Sequence, residues 1–169
     1  EINYSRSAFQ VKRGILNGFS VLLLVATLMA ITTGILTEMP LMQFIMWLAF
    51  TGFAAISSEL VVGIAAMHSG WFPSFACTLI FLVLGILLDF PLEALALMVG
   101  LTAATGPAFA DMAFDLKTGW MLRGQGANET FEKKGRKQQL IAELISIGVA
   151  ISVLPAVHQY YFAQNLVPP

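Results

Sequence analysis

Apolar residues in this chain come in long runs rather than in alternation with polar ones. Five runs stand out, at residues 15–36, 44–67, 75–88, 92–110 and 140–157. A membrane-crossing helix needs about 20 apolar residues, with a range of about 17–25. The first, second and fourth runs meet that length alone. The third meets it if it starts near Pro73 and ends near Phe90. The connections at 37–43, 68–72 and 89–91 are short, which predicts antiparallel neighbours. The pattern predicts an all-α polytopic membrane protein with about five transmembrane helices.

Composition agrees. Hydrophobic residues make up 57% of the chain, charged residues 11%, and the mean hydropathy is +0.79. Soluble domains are about half apolar and about a quarter charged. That balance argues against a soluble enzyme or a disordered tail. The net charge of −1 offers no attraction to nucleic acid. Cys77 is the single cysteine, so no internal disulfide is possible.

Charge placement adds orientation. Arg6, Lys12 and Arg13 precede the first run, and the other six Lys and Arg residues lie between Lys117 and Lys137. Cytoplasmic flanks carry the Lys/Arg excess. Four spans between two basic clusters put both clusters on one side. The expected layout is a cytoplasmic N-flank at 1–14, a four-helix membrane portion at 15–110, a cytoplasmic loop at 111–137, a fifth helix at 138–162 and an outer Pro-containing tail at 163–169. The glycines of the loop predict that it is mobile. The expected location is a bacterial inner membrane. The first run is longer than the roughly 7–15 residues of a signal-peptide core, and no small-residue cleavage site closes it. The chain opens on Glu1 rather than Met, so it is expected to be processed or part of something longer. Trp47, Trp71, Trp120, Tyr160 and Tyr161 fall at expected span ends, where amphipathic rings prefer to sit.

Few residues could carry chemistry. Glu59 lies near the centre of the second span, where a carboxylate costs about 2.5–3.5 kcal/mol on insertion scales. Gly52, Ala55, Gly63 and Ala66 share its helix face, so it faces protein or a water cavity rather than lipid. It reads either as a proton, ion or substrate site or as a protonated carboxyl bonded to a neighbouring backbone. In the fourth span, Thr102 and Thr105 precede Gly106-Pro107. Proline removes a backbone donor, which predicts either a broken helix with carbonyls free for a substrate or an ordinary kink. Ala96, Gly100, Ala104 and Ala108 form a small-residue stripe expected to pack, as do Ala26, Ala30 and Gly34. Asp111, Asp115 and Lys117 read from spacing alone as a solvated turn. No Cys/His/carboxylate set has metal spacing, and no nucleophile elbow or phosphate loop occurs, so neither metal, cofactor nor enzymatic activity is expected.

Asp115-Leu116-Lys117-Thr118-Gly119, followed by Arg136-Lys137-Gln138-Gln139, resembles the oligopeptide transporter (OPT) family, which includes yellow-stripe-like metal-chelate transporters. Met67-His68-Ser69-Gly70-Trp71-Phe72-Pro73 is similar to bacterial members. The resemblance covers about 56–154 and is most specific over 106–139. The link 124–135 is longer here than in the family pattern. The resemblance implies a segment of a secondary active transporter, driven by the proton gradient, taking up oligopeptides or peptide-like metal chelates. It places Asp111, Asp115, Lys117 and Gly119 in a family-motif loop. It implies partners in the bilayer, in the remaining spans of a longer transporter or a homo-oligomer, and in a small substrate. The alternative from another class is a small membrane-embedded assembly subunit packing on partner helices.

The topology is testable. Single cysteines at Thr37 and Tyr160 should be labelled from outside intact cells, and those at Arg13 and Lys133 should be spared. Equal labelling at 13 and 37 would sink the five-span layout.

Overall fold

A computed structural model describes residues 7–166. Residues 1–6 of the expected N-flank, with Arg6, and residues 167–169 of the expected tail lie outside the described residues. Five α-helices follow in order: α1 (Ala8–Thr33), α2 (Leu41–Ser69), α3 (Ser74–Leu87), α4 (Leu92–Leu122) and α5 (Glu129–Ala163), with a 3-10 turn at Ile35–Thr37. Local chemistry sets their ends. Ser7 and Gln10 close a capping box on α1, the Gln10 amide donating to Ser7 Oγ at 3.3 Å and the Ser7 amide to Gln10 Oε1 at 3.1 Å. Gly34, at φ +83, ends α1 in a left-handed conformation that side chains disfavour. Pro40 precedes α2, where its missing N–H costs nothing. Asn128 caps α5 by accepting from the Phe131 amide at 3.0 Å.

Four of the helices are long and apolar enough to cross a membrane, and α3 is the exception. Its 14 residues rise about 21 Å, short of the roughly 30 Å hydrocarbon core. The third span therefore does not reach the length expected of it: Pro73 stands at its N-cap, and the chain turns at Asp89, which takes φ +59.

The chain divides into two units, one through Ala113 and one from Phe114. In the first, α1 runs antiparallel to α2: a Cβ on Gly52 would lie 2.6 Å from Leu23 Cδ2, and Gly18 approaches Ile56. The α3 segment returns the chain along α2, with Phe81 against Phe50 and Phe53, and Gln43 Nε2 donating to the Asp89 carbonyl at 2.9 Å. α4 then runs parallel to α2, meeting it at Trp47 and Ala94, Ser58 and Thr102, and Gly63 and Phe109. Between membrane helices no hydrophobic force operates, so close packing and hydrogen bonds hold them together.

Two packing expectations change. The Trp47 ring is turned inward; it is 0% exposed and donates from Nε1 to the Ala94 carbonyl at 2.9 Å. A buried indole N–H needs such a partner, and α4 supplies it. Ala26 and Ala30 pack as expected, but Ala96, Gly100, Ala104 and Ala108 are exposed. α4 instead buries Ala94, Leu95, Met98, Leu101 and Thr102. Spacing identifies a small face without saying which neighbour takes it.

The second unit is a helical hairpin. Residues 114–122 finish α4, 123–128 turn, and α5 follows. The loop expected over 111–137 is thus mostly helix. Gly124, Gln125 and Gly126 all take positive φ, so the turn is tight rather than a long linker. The apolar run of α5 is unburied in the candidate span window.

Trp47→Phe keeps an aromatic ring but removes the indole N–H that donates to Ala94 and part of the buried volume. It should lower the stability of the purified protein by at least about 1 kcal/mol in a reversible unfolding assay, the lost bond and the cavity adding. No change would show that the indole bond contributes nothing.

Candidate functional site

Proline at position 107 lacks the N–H that would bond the Ala103 carbonyl four residues earlier. In hydrocarbon an orphan carbonyl costs several kcal/mol, because no water can replace the donor. The fold supplies one. Ser74 Oγ, at the first turn of α3, donates to the Ala103 carbonyl at 3.4 Å. One residue earlier on α4, the Thr102 carbonyl accepts from Ser58 Oγ of α2 at 3.2 Å. α4 therefore runs unbroken through Gly106-Pro107, with Pro107 inside it. Of the two readings of Gly106-Pro107, the unbroken helix is the one observed, with Ser74 taking up the carbonyl that Pro107 frees.

Gly106 explains the approach of α2. A Cβ there would lie 2.9 Å from Ser58 Oγ and 3.0 Å from Val62 Cγ2. Thr102 is buried and turns its own hydroxyl to the Met98 carbonyl at 2.7 Å, back-bonding along α4 rather than lining a site. Thr105 is half-buried and its hydroxyl has no partner among the described residues. Glu59 follows Ser58 on α2 and is half-buried. Gly52, Ala55, Gly63 and Ala66 on its face are all buried, as expected. That face meets α1 at Gly52 and Phe109 of α4 at Gly63. Among the described residues Glu59 makes no hydrogen bond or ion pair. Ser58, Thr102 and Gly106 thus meet at one α2–α4 contact, with Glu59 next to Ser58 along α2 and Pro107 next to Gly106 along α4.

The motif residues lie elsewhere. Asp111 is exposed on α4. Asp115-Leu116-Lys117-Thr118-Gly119 is helix rather than loop. The Asp115 carbonyl accepts from Gln139 Nε2 at 2.7 Å, and the same amide lies where a Cβ on Gly119 would stand. Gly119 and Gln139, both in the motif, thus define one contact between the two arms of the hairpin. Lys117 Nζ stacks over the Trp120 ring at 4.1 Å.

Arg123 and Glu132 were not singled out by the sequence. Arg123 grips Glu132 with both oxygens, Nε at 2.8 Å and Nη2 at 3.0 Å, and its Nη1 donates to Gln139 Oε1 at 2.8 Å. Arg136 joins at 3.4 Å. Glu132 is 5% exposed, and a Cβ on Gly135 would strike Arg123. Charges flanking a tight turn were the available signal, although an exposed loop presents the same composition. The Gln139 bridge makes the cluster a connector between the end of α4 and the first turns of α5.

Residues 10–168 match the family model described as OPT oligopeptide transporter protein. Neither a curated protein nor a solved structure gives a significant match to the chain.

The Arg123 hydrogen bond holds the Glu132 carboxyl below the usual carboxylate range, with the Arg123 and Arg136 charges assisting against burial. The residue precedes the apolar run of α5, outside the membrane-spanning part. A lowered native pKa means stabilisation that is full at neutral pH and lost as pH falls through that lowered value. Glu132→Gln should melt below wild type at pH 7, and the gap should narrow as pH drops below about 4.3. A gap independent of pH would show that the carboxylate charge is irrelevant to the hairpin.

Proposed function

The chain belongs to the OPT oligopeptide transporter family, and from that premise we propose that it is a segment of a secondary active transporter coupled to the proton gradient. Transport of oligopeptide type is what the family does. The finer reading is inward uptake of oligopeptides or peptide-like metal chelates across a bacterial inner membrane, with the N-flank and the α4–α5 turn on the cytoplasmic side.

Glu59 is the observation that carries the coupling. An ionisable group inside a membrane helix is expensive and marks a functional site by default. The sequence has no Lys or Arg between Arg13 and Lys117, and its one histidine there, His68, stands nine positions along α2. α1 carries Lys12 and Arg13 near its start and α4 carries Lys117 near its end, and none of them pairs with this carboxyl among the described residues. Its face is built of small residues that let α1 and α4 approach, so the carboxyl opens beside two helix contacts rather than inside one. Protonation changes whether that seam carries a charge. A carboxyl so placed can take a proton from one side and release it to the other as the helices move. Thr105, Gly106 and Pro107, one to two turns along the α2–α4 contact, are the proposed substrate-path residues, and Thr102 supports their backbone. Asp111, Asp115, Lys117 and Gly119 support the path by fixing the helix that carries them.

The exposed stripe Ala96, Gly100, Ala104 and Ala108 and the unburied apolar run of α5 support further spans or a second copy completing the path.

Glu59→Gln retains size and hydrogen bonding but removes titration. Uptake of a radiolabelled peptide by full-length protein in proteoliposomes should lose its dependence on the pH gradient, while counterflow exchange persists. A wild-type pH profile in that variant would remove Glu59 from the proton path.

A further inference from the structure

α3 and α4 enclose an open groove of about 560 Å3 beside the proline-freed carbonyl. Its walls are largely apolar, with Phe75, Leu79 and Leu82 from α3 and Val99 from α4. Two polar residues join them, Ser74 and Thr78, and Ala103 adds its backbone carbonyl. Pockets that take small ligands measure about 300–1,000 Å3 and set a few polar groups in an apolar wall.

The polar groups are not at rest. The Ala103 carbonyl has lost its helical donor to Pro107, and Ser74 holds it at 3.4 Å, near the outer limit of a hydrogen bond. A carbonyl accepts two bonds, so capacity remains. Thr78 is only 8% exposed, and its hydroxyl is buried without a partner among the described residues. Threonine in a helix populates two χ1 wells, so one rotation can carry this hydroxyl to the groove surface. The groove thus sets an acceptor with one accepting position left beside a donor that has no partner among the described residues.

We propose that the α3–α4 groove binds a short apolar peptide, one backbone N–H donating to the Ala103 carbonyl and the amide carbonyl of the same peptide accepting from Thr78. This deepens the transport reading and rests on it. A peptide amide carries both complements in one rigid unit, and an apolar side chain beside it would lie against Leu79 and Leu82. A lipid acyl chain suits the walls but satisfies neither polar group, so the hydrogen bonding selects peptide over lipid.

The test uses full-length protein in lipid nanodiscs with two probes, trileucine and its analogue carrying esters in place of both peptide amides. Equilibrium binding of trileucine should exceed that of the ester by about fivefold in wild type, since the ester lacks the N–H. Pro107→Ala returns a helical N–H to the Ala103 carbonyl, so there the two probes should bind alike. That non-additivity isolates the single bond. Thr78→Val, which keeps shape and loses the hydroxyl, should weaken trileucine about fivefold, and Leu79→Trp should abolish binding by filling the groove. Should Pro107→Ala fail to fold, Thr78→Val and Leu79→Trp still decide the matter. Trileucine binding untouched by Thr78→Val and Leu79→Trp overturns the site, even if proteoliposome uptake continues and the transporter reading stands. Loss of co-purified lipid in Leu79→Trp, with trileucine unaffected, assigns the groove to lipid and overturns it as well. No trileucine binding to wild type also overturns it, and uptake of other peptides then judges the transport reading separately.

Discussion

A carbonyl inside a bilayer has no water to fall back on, and the first unit is organised around that constraint. Pro107 removes one hydrogen bond from α4. The loss is offset by Ser74, which arrives from the start of α3 at the freed Ala103 carbonyl, while Ser58 of α2 reaches the neighbouring Thr102 carbonyl. Those reaches demand tight helix approach, which Gly106 permits. The same requirement recurs at Trp47, whose buried N–H finds Ala94. Removing hydration turns each polar atom into a condition on where the next helix must lie.

The second unit solves a different problem with different chemistry. At the helix ends charge is affordable, and Arg123 uses it to join the turn to α5 through Glu132 and Gln139. Gly119 and Gly135 clear the space the long side chains occupy. The family motif is therefore explained by packing: Gln139 bonds the Asp115 backbone, and Gly119 makes room for the amide that does so.

The helices were legible because length and apolarity are local properties, and the runs at 15–36, 44–67 and 92–110 fall within α1 with its 3-10 turn, α2 and α4. The face of Glu59 was legible too, since small residues at helical spacing mark a buried side. Direction was not. Ala96, Gly100, Ala104 and Ala108 resemble a packing seam by spacing, yet Met98 and Thr102 face inward instead. Ser58 and Ser74 were illegible for a deeper reason. A serine becomes a partner for a carbonyl of another helix only when the fold brings it there, and nothing in its neighbours along the chain announces it. Charged residues at 111–137 suggested a solvated loop because a paired Arg and Glu have the same composition as free ones.

That last pairing separates two moments in the life of the protein. Orientation in the membrane is set by Lys and Arg near the span ends, with acidic residues counting little. While the chain is inserting, all six cations from Lys117 to Lys137 act as an undivided signal. Once folded, Arg123 and Arg136 converge on Glu132, and Lys133 pairs with Glu129 at 2.6 Å. Residues that the charge rule counts for orientation are thus the ones that fasten the finished hairpin. A change from Arg123 to Lys would leave the topogenic charge intact and dismantle the two-pronged grip, so sorting and assembly could fail separately at one position.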